Sequence, residues 1–275
     1  MRVELIPGPA SFRDLVFPFM TCDPLRNIAV LSVLERRVEV GGSESDRYLA
    51  VLDDSGVVIG AAIVVGTYAY LGELRADLAG PVARAIACTA PTTSRVEGVP
   101  GAVHAFVANW RDLCGREFRL TVSKRLHRLD HLVPHHAVGT PRLAMPADHQ
   151  LCVRWSVAFD ADVGEPPADR APGVRRSIEA RQLWLWEVGG EPVSMVGHIA
   201  AIAGVGRVGP VYTPPEHRSR GYASALTTHV TKKLVDHGFD ACLYTDLSNP
   251  TSNKVYAAIG YRPVADLLRF ELTTP

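Results

Sequence analysis

A basic, glycine-containing turn near the C-terminus has the composition of an anion-binding site. The apolar, extended segment Val211–Thr213 precedes it, and the turn Arg218–Gly221 leads into a helix. Arginine side chains and the free N–H groups at a helix N-terminus both stabilise anions. We therefore expect the turn to bind a phosphate or pyrophosphate group, with the extended segment lying along the rest of an elongated ligand.

A second group of polar residues follows about thirty positions later. Asn249, Asn253 and Tyr256 are spaced i, i+4 and i+7, so a helix beginning near Pro250 aligns them on one face. The phenol of Tyr256 can protonate a leaving group as a general acid, although a packed structural tyrosine is the alternative. Asn253 can bind a ligand or orient the tyrosine, and Asn249 can bind a ligand or cap the helix.

Both blocks resemble motifs of the GNAT acyltransferase superfamily. Arg218, Gly221 and Ala223 occupy the fixed positions of its Q/R-x-x-G-x-G/A signature. Asn249–Tyr261 matches the later pattern N-x-x-(A/S)-x-x-(hydrophobic)-Y-x-x-x-G-(F/Y). Two motifs in the expected order are more specific than either alone. Within the superfamily, the sequence of Gly209–Pro263 most resembles the branch that includes glycine N-acyltransferase-like proteins.

The resemblance implies an acetyl-CoA-dependent N-acetyltransferase. In such a transferase, an acetyl or longer acyl group moves from the thioester to a primary amine by direct attack in a ternary complex. Tyr256 then protonates the departing thiolate. The alternative from another class is a non-catalytic, regulatory module that binds acetyl-CoA, and a protein-interaction scaffold without a nucleotide ligand is a third possibility.

The same resemblance implies a set of residues that bind acetyl-CoA as cosubstrate. Val211 and Thr213 are expected to pair through their backbones with the pantetheine arm, which lies where two parallel strands splay apart. Pro210 supports a split in the sheet there, because proline cannot donate to a strand ladder. The predicted binding residues are Val211, Tyr212, Thr213, Arg218, Ser219, Arg220, Gly221, Tyr222, Ala223, Ser224, Asn249 and Asn253.

A competing motif, G-x-G-x-x-G from Gly204 to Gly209, lacks the context of a dinucleotide-binding site. Such a turn must open a helix and be followed about 20 residues later by an acidic residue. Here the glycines lead into Pro210 and an extended segment, and residues 227–230 are Thr-Thr-His-Val. We therefore interpret Gly204 and Gly206 as a hairpin connection.

Composition is consistent with a cytoplasmic protein that does not bind nucleic acid or membranes. The 275 residues include 29 Lys+Arg and 29 Asp+Glu, so there is no net charge bias toward polyanions. The five cysteines lack C-x-x-C spacing, which favours reduced thiols. No signal-peptide pattern or membrane-length apolar run is evident. A small-molecule or protein amine is the expected acceptor, for a monomer or homodimer.

Periodicity predicts an α/β (α+β) fold in two halves, residues 1–136 and 137–275, joined near Pro134–Ala147. The second half is the predicted catalytic domain, with helices at 151–159, 174–180 and 221–237. Its predicted strands are 183–188, 192–199, 241–245 and 262–272, besides the one that carries Val211. These elements are expected to form a mixed sheet flanked by helices, and the resemblance to the GNAT superfamily implies that the sheet is mostly antiparallel with a splayed parallel pair.

The first half contains a comparable strand–turn–strand sequence. Tyr48–Leu52 and Val57–Val65 flank a turn at Asp53–Gly56, as the strands of the later hairpin flank theirs. This order suggests a degenerate GNAT-like domain in tandem with the second, and an accessory domain of different α/β topology is the alternative. Residues 72–85 contain no Arg-x-x-Gly-x-Gly/Ala turn, so we assign this half a structural or acceptor-shaping role.

No motif identifies the base that deprotonates the acceptor amine. The candidates near the predicted core are Glu187, His198, Glu216 and Asp246. Two histidine pairs, His127 with His131 and His135 with His136, lack the matching Cys/His/carboxylate set of a metal site, so no metal is expected.

Overall fold

The computed structural model describes residues 1–273 as two compact α/β units. The strands are β1 (Arg2–Leu5), β2 (Arg47–Leu52), β3 (Val58–Val65), β4 (Tyr68–Gly72), β5 (Arg95–Gly98), β6 (Phe118–Leu129), β7 (Thr140–Leu143), β8 (Leu183–Val188), β9 (Glu191–Ile202), β10 (Val205–Tyr212), β11 (Asp240–Asp246) and β12 (Tyr261–Leu272). The helices are α1 (Pro9–Met20), α2 (Ile28–Val40), α3 (Ala76–Thr89), α4 (Pro100–Cys114), α5 (His149–Asp162), α6 (Ala171–Glu179), α7 (Tyr222–Asp236) and α8 (Pro250–Ile259).

The C-terminal unit, residues 127–263, is built on an open mixed sheet. Strands β7, β8, β9 and β10 pair antiparallel in chain order, and β11 then pairs parallel to β10. The parallel pair requires a crossover connection, which α7 supplies. The end of β6, from His127, lies beside β11 in this unit.

Helices cover both faces of this sheet because the strands alternate between two apolar cores. On one face, Val196, Val208 and Leu243 pack with buried residues of α7 and α8. On the other face, Leu185 and Met195 pack with residues of α5 and α6. The fold prediction of a mixed sheet flanked by helices is therefore confirmed.

The N-terminal unit comprises residues 1–126 and the segment that begins at Val264. Strands β1 to β4 pair antiparallel in chain order, and β5 is parallel to β4. The C-terminal part of β12 completes the sheet, with Leu268–Glu271 antiparallel to β5. Helices α3 and α4 pack on one face of the sheet through Val82, Ile86, Phe106 and Trp110.

The two halves of the chain repeat one order of elements. The order β1-α1-α2-β2-β3-β4-α3-β5-α4-β6 recurs as β7-α5-α6-β8-β9-β10-α7-β11-α8-β12. The parallel strand pairs nevertheless differ. In the N-terminal unit the pairing of β4 with β5 continues to the strand ends, where Gly72 is opposite Gly98. No such closure occurs between β10 and β11, whose pairing is confined to their first residues.

The division into units differs from the predicted boundary after residue 136. The compact units meet in sequence between Leu126 and His127, and the chain from Val264 belongs with the N-terminal unit. The reason is that β6 and β12 are long strands, each with residues in both units. The proline and glycine residues near Pro134–Ala147 indicate the loop after β6, whereas the boundary between the units lies within that strand.

The prediction that Gly204 and Gly206 form a hairpin connection is confirmed for Gly204 only. Gly204 lies in the turn, whereas Gly206 lies inside β10 and faces Leu234 of α7. A Cβ at Gly206 would come within 2.8 Å of the end of the Leu234 side chain, so α7 packs closely on β10 at this glycine.

The five cysteines are free, with Cys152 and Cys242 buried. Burial raises the pKa of each of these two thiols to about 12, so neither is a thiolate at neutral pH. Among residues 1–273, no helix has both the length and the apolar character needed to span a bilayer.

Candidate functional site

The central feature of the C-terminal unit is an opening between β10 and β11. Val205–Arg207 pair with Asp240–Cys242, and this parallel pairing covers only the first three residues of β10 and of β11. The remainder of β10 continues to pair with β9 on its other side, through Val211 and Tyr212. One side of the β10 backbone therefore faces the opening rather than a neighbouring strand.

A β-bulge in β10 lies at the start of this opening. Val208 is opposite His198 and Val211 is opposite Val196, so Gly209 and Pro210 together oppose one residue of β9, Gly197. The Gly209–Pro210 peptide is cis. A Cβ on Gly197 would approach the Gly209 carbonyl oxygen and Pro210 Cδ to 3.1 Å, so the bulge fits closely against a glycine.

The turn between β10 and α7 presents the start of that helix to solvent. Gly221 is the N-cap residue of α7, with φ 80° and no side chain that caps the helix. The first N–H groups of a helix have no partner within the helix. Gly221 and Arg220 are exposed, so the N-terminus of α7 can receive an anion.

Arg218 has structural partners within the turn. Its Nε donates to the Thr213 carbonyl oxygen at 2.9 Å, and its Nη2 donates to Asp162 Oδ2 at 2.6 Å. Its guanidinium also lies 5.9 Å from the centre of the Tyr212 ring. Arg218 therefore ties the turn to the end of α5, and Asp162 is a partner that the sequence motif does not reveal. Whether Arg218 also contacts an anion stays a prediction.

Asn249 and Asn253 both have partners within the protein. Asn249 is the N-cap of α8, where its side chain accepts from the Ser252 N–H at 3.0 Å, so the capping alternative describes its contact. The Asn253 amide nitrogen donates to the carbonyl oxygens of Asp246 and Asn249. Its Oδ1 accepts from Thr245 Oγ1 at 2.7 Å. The amide of Asn253 thus joins α8 to the end of β11, and its predicted contact with a ligand stays a prediction.

Tyr256 lies on α8, with a buried ring and a hydroxyl that forms no hydrogen bond within residues 1–273. The ring packs edge-on against Tyr261, with ring centres 6.3 Å apart. Within residues 1–273 the Tyr256 hydroxyl has no hydrogen-bond partner, whereas the Tyr261 hydroxyl pairs with Thr231 Oγ1 at 2.7 Å. Burial raises the pKa of Tyr256 well above its ordinary value of 10, which keeps the phenol protonated at neutral pH.

The four candidate bases differ in their surroundings. Glu187 is ion-paired with Arg142 at 2.6 Å, and Asp246 accepts from the Ser248 N–H and hydroxyl. Glu216 is exposed in the 3-10 turn before the helix. Burial lowers the pKa of the half-buried His198 on β9, so its imidazole is neutral at neutral pH. His198 has the protonation state that a base needs, but no contact links it to Tyr256.

The structure assigns His127 a contact that sequence reasoning missed. The buried His127 side chain lies against Thr245, with Nε2 and Oγ1 3.1 Å apart. In the described part of the chain, no group of three His, Cys, Asp or Glu side chains forms a metal-binding arrangement. A histidine on a strand gives no local signal of a partner that lies 118 positions later.

Comparisons with known proteins agree with this geometry. Residues 188–269 match the family model of FR47-like proteins, which covers β9, β10, α7, β11 and α8. A comparison with curated proteins gives no match.

Three solved structures that are similar to this chain are GNAT-family proteins. A GCN5-related N-acetyltransferase from Sphaerobacter thermophilus is 16% identical over 98% of this chain and 95% of that one, with a TM-score of 0.67. A GNAT-family acetyltransferase from Colwellia psychrerythraea is 13% identical over 99% and 100%, with a TM-score of 0.61. A tandem GNAT protein of the clavulanic acid biosynthesis pathway is 12% identical over 100% and 99%, with a TM-score of 0.57.

The geometry around α8 gives a testable prediction about Gly260. This residue follows α8 with φ 109°, and a Cβ there would overlap the carbonyl oxygen of His131. Gly260→Ala is expected to lower the free energy of unfolding by about 3 kcal/mol or more, because backbone strain adds to a steric overlap. Chemical denaturation measures this change.

Gly238 is the matched control position for Gly260. It follows α7 with φ 80° and has no atom within 4 Å of a Cβ. Gly238→Ala is therefore expected to cost only about 1 kcal/mol, the strain of the left-handed conformation. Equal losses for both variants would contradict the close contact between α8 and residue 131.

The open parallel pair, the exposed N-terminus of α7 and the similar structures support one conclusion about architecture: the chain has the fold of the GNAT acetyltransferases, with its FR47-like match at residues 188–269.

Proposed function

We propose that this protein transfers an acetyl group from acetyl-CoA to a primary amine. The observation that carries the proposal is the opening between β10 and β11, with α7 beginning after β10 and with a Tyr256 hydroxyl that has no hydrogen-bond partner within residues 1–273. The opening supplies unpaired strand backbone for an amide-containing chain, and the helix N-terminus supplies N–H donors for phosphates. Acetyl-CoA contains both chemical features in one molecule.

The pyrophosphate would bind at the turn that leads into α7. The N–H groups of Gly221, Tyr222, Ala223 and Ser224 are the donors, and Arg220 supplies an exposed positive charge. Arg218 holds the turn in shape through Asp162 and the Thr213 carbonyl. The pantetheine arm would lie in the opening, along the backbone of Val211 and Tyr212, with β11 on its other side.

Direct attack in a ternary complex accounts for the chemistry with the residues available. The neutral amine attacks the thioester carbonyl, a carbon–nitrogen bond forms, and the carbon–sulfur bond breaks. The departing sulfur takes a proton from the Tyr256 phenol, whose burial keeps it protonated. Water or a base then removes the excess proton from the product nitrogen, and the phenolate is reprotonated.

The degree of burial of Tyr256 suits a general acid. Because burial raises its pKa, the phenol keeps its proton at neutral pH and can donate it to the thiolate that leaves. The half-buried Asn253 does not contact its hydroxyl, and no carboxylate shifts its pKa. Among residues 1–273, no side chain therefore competes with the leaving sulfur for the proton of the phenol.

Replacement of the phenol tests this role. Tyr256→Phe is expected to lower kcat by about 100-fold or more, because the thiolate leaves without a proton donor. The dissociation constant for acetyl-CoA should stay within about two-fold, since the ring is kept. The measurement is thiol release from acetyl-CoA with a panel of free amino acids, polyamines and a lysine-containing peptide, under chemistry-limited conditions.

Tyr261→Phe is the matched control for this replacement. It removes the neighbouring buried hydroxyl, which pairs with Thr231, and should cost stability while retaining kcat. An unchanged kcat in Tyr256→Phe would rule out the general-acid role. Binding of acetyl-CoA without turnover of any amine in the panel would favour a regulatory acetyl-CoA-binding module.

The pH dependence of kcat follows from the direction of the Tyr256 pKa shift. The protonated phenol is the active form, and burial raises its pKa, so the active form persists to higher pH than an exposed tyrosine allows. We therefore expect kcat of the wild-type protein not to fall between pH 7 and about 9.5. An alkaline decline of kcat with an apparent pKa below about 9 would contradict the assignment.

A further inference from the structure

One short segment of the C-terminal unit is linked to both ends of the helix that carries Tyr256, through Thr245 of β11 at one end and directly at the other. At the N-terminal end of α8, His127 contacts Thr245, which in turn contacts Asn253. At the C-terminal end, the Asp130 N–H donates to the Gly260 carbonyl oxygen at 3.0 Å, and the Val133 N–H donates to that of Ile259 at 2.8 Å. We call residues 127–133 the brace.

The direction of each hydrogen bond that joins His127, Thr245 and Asn253 can be assigned from the available protons. The Asn253 amide nitrogen donates to two carbonyl oxygens, which leaves Oδ1 as the acceptor facing Thr245. Thr245 therefore spends its only hydroxyl proton on Asn253. It must accept from His127, which consequently carries a proton on Nε2.

The structure assigns His127 and Thr245 as positioning residues for Tyr256, an inference that rests on the proposed function. The Tyr256 hydroxyl has no protein partner among residues 1–273, so the backbone of α8 and the packing of the ring set its position. The chain from His127 through Thr245 to Asn253 fixes that helix to the end of β11. The same strand end borders the opening in which the thioester would lie.

The hydrogen bonds among His127, Thr245 and Asn253 favour a role in positioning over a role in packing alone. His127 and Thr245 are each at most 5% exposed, and burying polar groups gives little net stability even when their hydrogen bonds are satisfied. What a satisfied chain of hydrogen bonds supplies is one defined geometry. A general acid depends on such geometry, because a displacement of about 1 Å can cost about 100-fold in rate.

Variants of Thr245 separate the hydroxyl from the volume of the side chain. Thr245→Val keeps the shape but leaves His127 and Asn253 without their shared partner, whereas Thr245→Ser keeps the hydroxyl. We expect Thr245→Val to lower kcat for thiol release by about ten-fold or more, with the dissociation constant for acetyl-CoA within about three-fold. Thr245→Ser should recover most of kcat.

Amide hydrogen exchange gives a second measurement that requires no ligand. The amides of residues 254–259 should exchange at least about ten-fold faster in Thr245→Val and within about two-fold of wild type in Thr245→Ser. Circular dichroism and thermal unfolding establish that both full-length variants fold. If the hydrogen bonds served only stability, Thr245→Val would lower the free energy of unfolding without lowering kcat at a nearly unchanged dissociation constant for acetyl-CoA.

The outcomes distinguish this inference from the proposed function. A Thr245→Val variant with kcat within two-fold of wild type, or a Thr245→Ser variant as impaired as the valine variant, would overturn the positioning role. If wild-type protein binds no acetyl-CoA, the proposed function fails by itself. In that case, unchanged amide exchange of residues 254–259 in Thr245→Val would overturn the claim that Thr245 holds α8 in place. Faster exchange of these amides in Thr245→Val but not in Thr245→Ser would support it.

Discussion

The candidate site depends on one constraint, which is that strand backbone groups require hydrogen-bonding partners. Strand β10 pairs with β9 along most of its length but with β11 only over Val205–Arg207. Beyond that point, the β10 backbone has one side without a neighbouring strand, and the bulge at Gly209–Pro210 lies where the strands diverge. An extended ligand with amide groups can supply the missing partners. The turn into α7 follows β10, and α8 is tied through Asn253 to the end of β11, so both strands of the divergent pair lead to a predicted site residue.

The N-terminal unit shows how the same order of elements can omit such a site. Its parallel strands β4 and β5 pair to their ends, with Gly72 opposite Gly98. Three residues, 73–75, connect β4 to α3, whereas nine residues, 213–221, connect β10 to α7. The short connection leaves no turn that can surround a pyrophosphate. Of the two parallel pairs β4–β5 and β10–β11, only the second diverges to leave an opening.

Local patterns in the sequence predict most elements of this unit, because alternation and helical periodicity reflect burial directly. The hairpin of β8 and β9, the helices α5 to α8 and the turn that leads into α7 at Gly221 all follow from short segments. The contacts of the site residues do not, since they join distant positions: Arg218 pairs with Asp162, and Thr245 pairs with His127. Such pairs depend on how β6 and α5 lie beside the site, which no local pattern specifies.

Calorimetric titration of the full-length protein with acetyl-CoA tests the central claim most directly. We predict saturable binding by wild type and its loss in Gly221→Val, because a bulky side chain at φ 80° strains the turn and obstructs the approach of phosphate. Gly238→Val, at a glycine with the same φ beyond the other end of α7, should bind like wild type. Absence of binding to wild type, or equal binding by Gly221→Val, would contradict the account.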